Sequence, residues 1–243
     1  MHSFREFLGE VGVISVGILL ALGAEQLIER WHWSEKVSVA EEMITSENRD
    51  NFAQAAEQVE VTPCLIAQLD KLEGALAPGV RFQPAPVYQD RQGSFVMRQP
   101  SRAWATDAWD SLVADGTADH FDVRRRKSIS DVYLDLATLR RLNGDADAAN
   151  IKLSVLAKPL ELDPATRLQL YQLIEEQKGR AALQADTAKD LMLELRRLKK
   201  APETFPSYTT TGSETRNFCQ SQGLPLANWR DQVASEEQKS AQP

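Results

Sequence analysis

The chain has 243 residues, of which 28 are Lys or Arg and 35 are Asp or Glu, giving a formal charge of −7 and a pI near 5.1. That balance excludes nucleic-acid binding through overall charge, because phosphate contacts need a basic surface. Hydrophobic residues make up 42%, enough for one domain with a real core after about 30 residues are set aside for an N-terminal anchor.

The first element is that anchor, residues 1–33 with an interfacial end. Phe7 to Ile28 reads FLGEVGVISVGILLALGAEQLI, and Val11 to Ala24 carries no charge. A hydrocarbon layer of about 30 Å needs about 20 apolar residues, and these 22 residues make roughly 33 Å of helix. Glu10 and Glu25 bracket the uncharged centre. A span therefore requires both acids near the headgroups, or Glu10 turned toward protein. Helical phase places Glu10, Gly17, Ala21, Ala24 and Ile28 on one stripe. Gly17 and Ala21 form a small-xxx-small pair, the kind of surface on which a second helix approaches closely. Trp31 and Trp33 fall where aromatic belts form and mark the membrane boundary. A signal peptide cleaved after Ala21-Leu22-Gly23 and a buried soluble helix are the alternatives. The segment before the apolar run is poorly basic, which weighs against the signal. Charge leaves orientation open, with Arg5 on one side and Arg30 and Lys36 on the other.

Glu25 to about Val59 has no proline or glycine, so the anchor is expected to continue into a stalk helix with Val37, Ala40, Ile44, Phe52, Ala55 and Val59 on one face. Thr62-Pro63 reads as a cap with proline at the first helical position, opening a helix to Leu76 that is either separate or a kinked continuation. Residues 77–100 hold Pro78, Pro84, Pro86 and Pro100, which exclude a helix and leave VYQ and SFVM as short strands at most. This is a candidate binding loop, with a packed linker as its plainer reading.

Ser101 to Val113 is expected to be helical, with Trp104 and Trp109 inward and Gly116 as its stop. Another helix starts near Asp119 or Asp122 and runs to Leu142, where Asn143-Gly144 signals a turn. A short helix from Asp145 to Ala157 follows. Asp163-Pro164 opens the longest pattern, to about Lys200. Residues 201–243 are expected to be an irregular tail held by Cys219 and Trp229, with a disordered end. The fold class is thus all-α: a transmembrane helix, a stalk, and an irregular antiparallel helical bundle over residues 34–200.

Cys64 and Cys219 are the only cysteines. An exported domain makes a disulfide between them plausible, which would tie the tail to the early helices. Catalytic groupings are missing: there is no phosphate-cradling glycine loop, no GxSxG and no paired-cysteine metal motif. His120 among Asp115, Asp119 and Asp122 has metal-ligand chemistry, yet acids at a helix start have a structural reason of their own. The series Asn143, Asp145, Asp147 and Asn150 fails as a calcium loop, with Ala148 in the glycine position and Ser154 in the glutamate position. Arg124 to Lys127 is a basic run read as a solvated or anionic-lipid-facing turn. No cofactor, metal or small-molecule substrate is expected, and no enzymatic activity.

FREFLGEVGVISVGILLALGAEQLIERWHW together with SRAWATDAWDSLVADG resembles a group of uncharacterised proteobacterial single-anchor membrane proteins. The resemblance implies an inner-membrane, single-pass address with the helical C-terminal domain in the periplasm, and it implies no activity. The expected function is that of a protein-interaction or scaffold protein, self-associating or binding another membrane protein through its anchor. The alternative is an accessory subunit of a transporter or ion-driven complex using Glu10.

Overall fold

In the computed structural model, residues 4–90, 93–100, 102–199 and 214–240 are described, and they form an all-α protein built on one helix. This helix, α1 (Phe4–Ala75), is 72 residues long and so reaches roughly 108 Å at 1.5 Å per residue. Pro63 lies inside it. Of the two alternatives at Thr62-Pro63 the helix takes continuation, and the Thr62 hydroxyl donates back to the Gln58 carbonyl at 2.7 Å instead of capping a new helix. Packing on both sides of the proline, by Val59, Val61 and Cys64, holds the helix through the missing N–H.

The stalk is not free. From Ala40 onward α1 carries buried residues at helical spacing, and at Ala55, Ala56, Glu57, Gln58 and Val59 the burial runs without a gap. The helix expected to reach toward a bundle is the central rod of that bundle. Helix α3 (Val123–Leu153) runs parallel to it, fixed by Arg125 to Glu41 at 2.7 Å and by Tyr133 to Glu47 at 2.6 Å. Helix α4 (Pro164–Arg197) returns antiparallel. At its start Arg167 donates to the Leu76 carbonyl, and Lys178 joins Asp70, Glu73 and Glu175. Burial works against the Lys178 charge, but these three carboxylates outweigh it and raise its pKa. Asp163 caps α4 as read from the sequence, accepting from the Ala165 and Thr166 N–H groups. The Thr166 hydroxyl, which donates to the same carboxylate at 2.6 Å, and then those two N–H bonds hold the carboxyl below the usual range.

Residues between α1 and α3 are joined by the tryptophan segment. Its helix, α2, covers only Asp107–Ala114, shorter than expected. In the extended run before it, side chains satisfy the backbone that a helix would otherwise satisfy. Asn51 both donates to the Ala105 carbonyl and accepts from its N–H, Arg140 donates to the Trp104 carbonyl, and Glu47 accepts from the Ala108 N–H at 2.9 Å. A buried Arg102–Glu57 ion pair at 2.5 Å closes the same strap. Trp104 is thereby seated in the core at 2% exposure.

Two further differences from the sequence reading, at Asn143-Gly144 and in the tail, have local causes, and residues 77–100 hold the short strands that the sequence allowed. Helix α3 passes through Asn143-Gly144 without a turn, because Leu142 and Ala146 keep the buried stripe in phase and Asn143 donates to Asp147 one turn on. The 77–100 segment is mostly exposed as far as Gln89 and buried only at Val96, Met97 and Pro100, with Phe82 and Ala85 packed against the core. It carries a two-residue-linked hairpin, β1 (Tyr88–Asp90) with β2 (Gly93–Phe95). Beyond the hairpin, Arg98 is held on both backbone groups by Gln68. The tail expected to be irregular contains α5 (Glu214–Ser221) and α6 (Trp229–Ser240). Cys219, Trp229 and Val233 give these short helices a buried face, and tertiary packing supplies the stability that their length and polar composition do not. Residues 201–213 and 241–243 lie outside the described residues.

Candidate membrane interface

Among the described residues, one helix is long and apolar enough to cross a membrane; its apolar window lies near the N-terminus and none of it is buried. Every residue from Gly12 to His32 is exposed, including Ile14, Leu19, Leu20 and Leu27. A soluble fold hides such a run, since leaving each large aliphatic side chain in water forgoes about 1.5–3 kcal/mol.

Around α1 the residues sort onto two opposed faces. At 100° per residue, Gln26, Glu29, Arg30, Trp33 and Val37 lie in one sector, which leads directly into buried Ala40 and Ile44. The sector holding Gly17, Ala21, Ala24 and Ile28 is on the other side of the helix, roughly 160° away. The bundle occupies the first face alone. On the second, exposure continues past the anchor through Val39 and Met43 to Asp50. A Cβ added at Gly17 meets nothing within 4 Å. The stripe read from the sequence is therefore unobstructed by the described residues of the protein's own domain. The side chain of Glu10 lies outside the described residues.

The two boundary tryptophans have different environments. Trp31, on the open side, is 71% exposed. Trp33 faces the bundle and stacks on His120, ring centroids 3.5 Å apart and 11° from parallel, with Lys36 Nζ 4.8 Å from its ring centre. His120 ends a 3-10 turn, Thr117–His120, that follows Gly116 in the left-handed region at φ 79°. Only a residue without Cβ turns there cheaply, so Gly116 aims the turn at α1. The contact marks where the bundle begins, a few residues beyond Ile28. Gln26, Glu29, Arg30, Trp33, Ser34, Val37 and His120 line an open groove of about 680 Å3 at that junction.

This arrangement accounts for the acidic residues around His120. Asp115 accepts from the Thr117 N–H, and bonds to Thr117 lower its pKa. Asp119 pairs with Arg126 at 2.6 Å, and Asp122 caps α3. No grouping of His, Cys, Asp or Glu able to hold a metal occurs among the described residues. Of the basic run, Arg125 and Arg126 are engaged by Glu41 and Asp119, and Lys127 by Asp131. An enclosed cavity between Gln58, Gln99, Asn143, Gln177 and Gln184, about 10 Å3 in volume, has room for about one water and no substrate.

Cys64 and Cys219 are joined in a disulfide that fastens α5 to the C-terminal part of α1. Arg216 adds an ion pair to Glu60 at 2.8 Å, and the Ala227 N–H donates to the Glu60 carbonyl. The His120–Trp33 stack was not legible beforehand. Its trace in the sequence is the continuous 3.6-residue series from Gln26 to Ile44, which contains polar members and so escapes a search for apolar stripes. No family model, curated protein or solved structure matches the chain.

Proposed function

We propose that this is a single-pass membrane protein whose helical domain stands outside the cytoplasm and whose anchor is also its docking surface for a second transmembrane helix. The observation that carries the reading is the opposition of faces on α1. The bundle is mounted on the Trp33 side, and the Gly17–Ala21–Ala24–Ile28 side is left open from the membrane to Met43. Small residues on a lipid-exposed face favour close helix packing, and a domain placed elsewhere on the helix does not obstruct it. The disulfide supports an oxidising compartment, the periplasm if the proteobacterial resemblance is taken up. The role is scaffolding or protein interaction, without catalysis.

The test is crosslinking in intact membranes of the full chain bearing Gly17→Leu and Ala21→Leu. The expected outcome is loss of the wild-type crosslinked species, homo-oligomeric or with another membrane protein, with membrane retention unchanged. Crosslinks of undiminished yield would remove the anchor face from the mechanism.

A further inference from the structure

The groove at the foot of the bundle lies on the face of α1 opposite the docking stripe and has a chemistry of its own. We propose that it binds one phospholipid headgroup bearing a primary amine, of the phosphoethanolamine class. The inference rests on the reading of α1 as a membrane anchor.

Depth comes first. Centring a hydrocarbon layer of about 30 Å on Val11 to Ala24 puts its edge near Leu27 or Ile28, and a headgroup layer of about 5–8 Å follows. At 1.5 Å per residue Glu29 and Arg30 then stand about 2–4 Å beyond the edge and Trp33 about 8 Å beyond it. The groove therefore spans the headgroup layer, with Gln26 at its membrane end and Trp33 and Val37 at its outer end. Its volume, about 680 Å3, lies within the range of small-molecule sites, about 300–1,000 Å3.

The lining then selects the headgroup. Glu29 and Arg30, 100° apart on the helix, stand on the two flanks of the groove, and neither has an ion-pair partner among the described residues. A guanidinium binds phosphate through paired N–H donors, and a carboxylate accepts from a primary ammonium. One lipid that is anionic at its phosphate and cationic at its amine satisfies both. A net-anionic headgroup such as phosphoglycerol satisfies Arg30 and meets repulsion from Glu29. A quaternary choline has no N–H to give Glu29, and the usual compensation, an aromatic face, is not available. His120 stacks against Trp33, and Lys36 already stands over the same ring. The Ser34 hydroxyl on the same wall adds a donor for the phosphate. The His120–Trp33 stack joins the two sides of the groove, α1 and the 3-10 turn.

The experiment is native mass spectrometry of the full chain, purified from membranes in mild detergent. Phosphatidylethanolamine, phosphatidylcholine and phosphatidylglycerol with identical acyl chains are added at equal concentration. The expected result is one retained phosphatidylethanolamine, favoured about tenfold over either competitor, a preference corresponding to about 1.4 kcal/mol. Glu29→Gln is expected to erase the discrimination against phosphatidylglycerol, and Arg30→Gln to lose retention of all three. Both residues are exposed, so neither change disturbs the core. Equal retention of the three lipids, or an unchanged preference in both variants, overturns the proposal and leaves the anchor intact. Release of the wild-type chain from membranes by alkaline carbonate overturns the anchor reading itself, and this proposal with it.

Discussion

The two halves of α1 carry the same helical period and live in opposite surroundings. From Gly12 to Val39 most of the helix is exposed, its large side chains included. From Ala40 to Leu69 it is wrapped by α3, α4, the tryptophan strap and the two tail helices. In the wrapped half a polar residue needs a named partner, as Asn48, Asn51 and Glu57 have in Tyr133, Ala105 and Arg102. In the unwrapped half polar residues are nearly absent until Glu25, as the proposed lipid surroundings, which provide no partners, require. On that reading one continuous helix couples two solvents, and a change in either half should be felt in that half first.

Trp104→Ala tests this separation most strongly. Removing a fully seated tryptophan typically costs about 3–5 kcal/mol, so urea unfolding of the detergent-solubilised chain should shift by that amount while carbonate-resistant membrane retention is unchanged. If retention falls in step with stability, the two halves are not independent. Cys219→Ser comes next. Loss of the link between α5 and α1 is expected to cost about 2–4 kcal/mol and to expose the tail helices to protease first, with the α1–α3–α4 rod surviving. Uniform proteolysis of the whole chain would show that the tail is integral to the rod.

The smallest of the three effects depends on pH. The Asp135 carboxyl is pushed up to about 6, first by burial and then by Asp190, Glu194 and Asp131. The folded state therefore favours its protonated form more than the unfolded chain does. Its contribution to stability is fully present below about pH 4 and is lost as pH rises through about 6. Asp135→Asn is expected to stabilise the protein by about 1 kcal/mol at pH 7.5, the shift being discounted for solvent screening, and to leave it unchanged at pH 4. Equal denaturation midpoints at both values would mean that the carboxyl is not strained by its surroundings.

Much of this molecule was readable from residue order because the relevant physics is local. The apolar run over Phe7 to Ile28 gave an exposed helical segment long enough to cross a membrane. Asp163-Pro164 gave the start of α4, since a cap and a fixed φ act within one turn. The same local signals left Thr62-Pro63 open and misled at Asn143-Gly144, where burial on both sides outweighed the breaker. They misled again in the tail, where α5 and α6 exist because Cys219, Trp229 and Val233 find a core. The sequence by itself determined that one helix carries an exposed apolar segment with its small residues on one face. Which side of that helix the domain occupies, and hence which side stays open, was decided only by tertiary contacts such as Trp33 with His120 and Glu41 with Arg125. Those contacts join residues more than 80 positions apart, with pairwise energies of order 1 kcal/mol that no local pattern encodes.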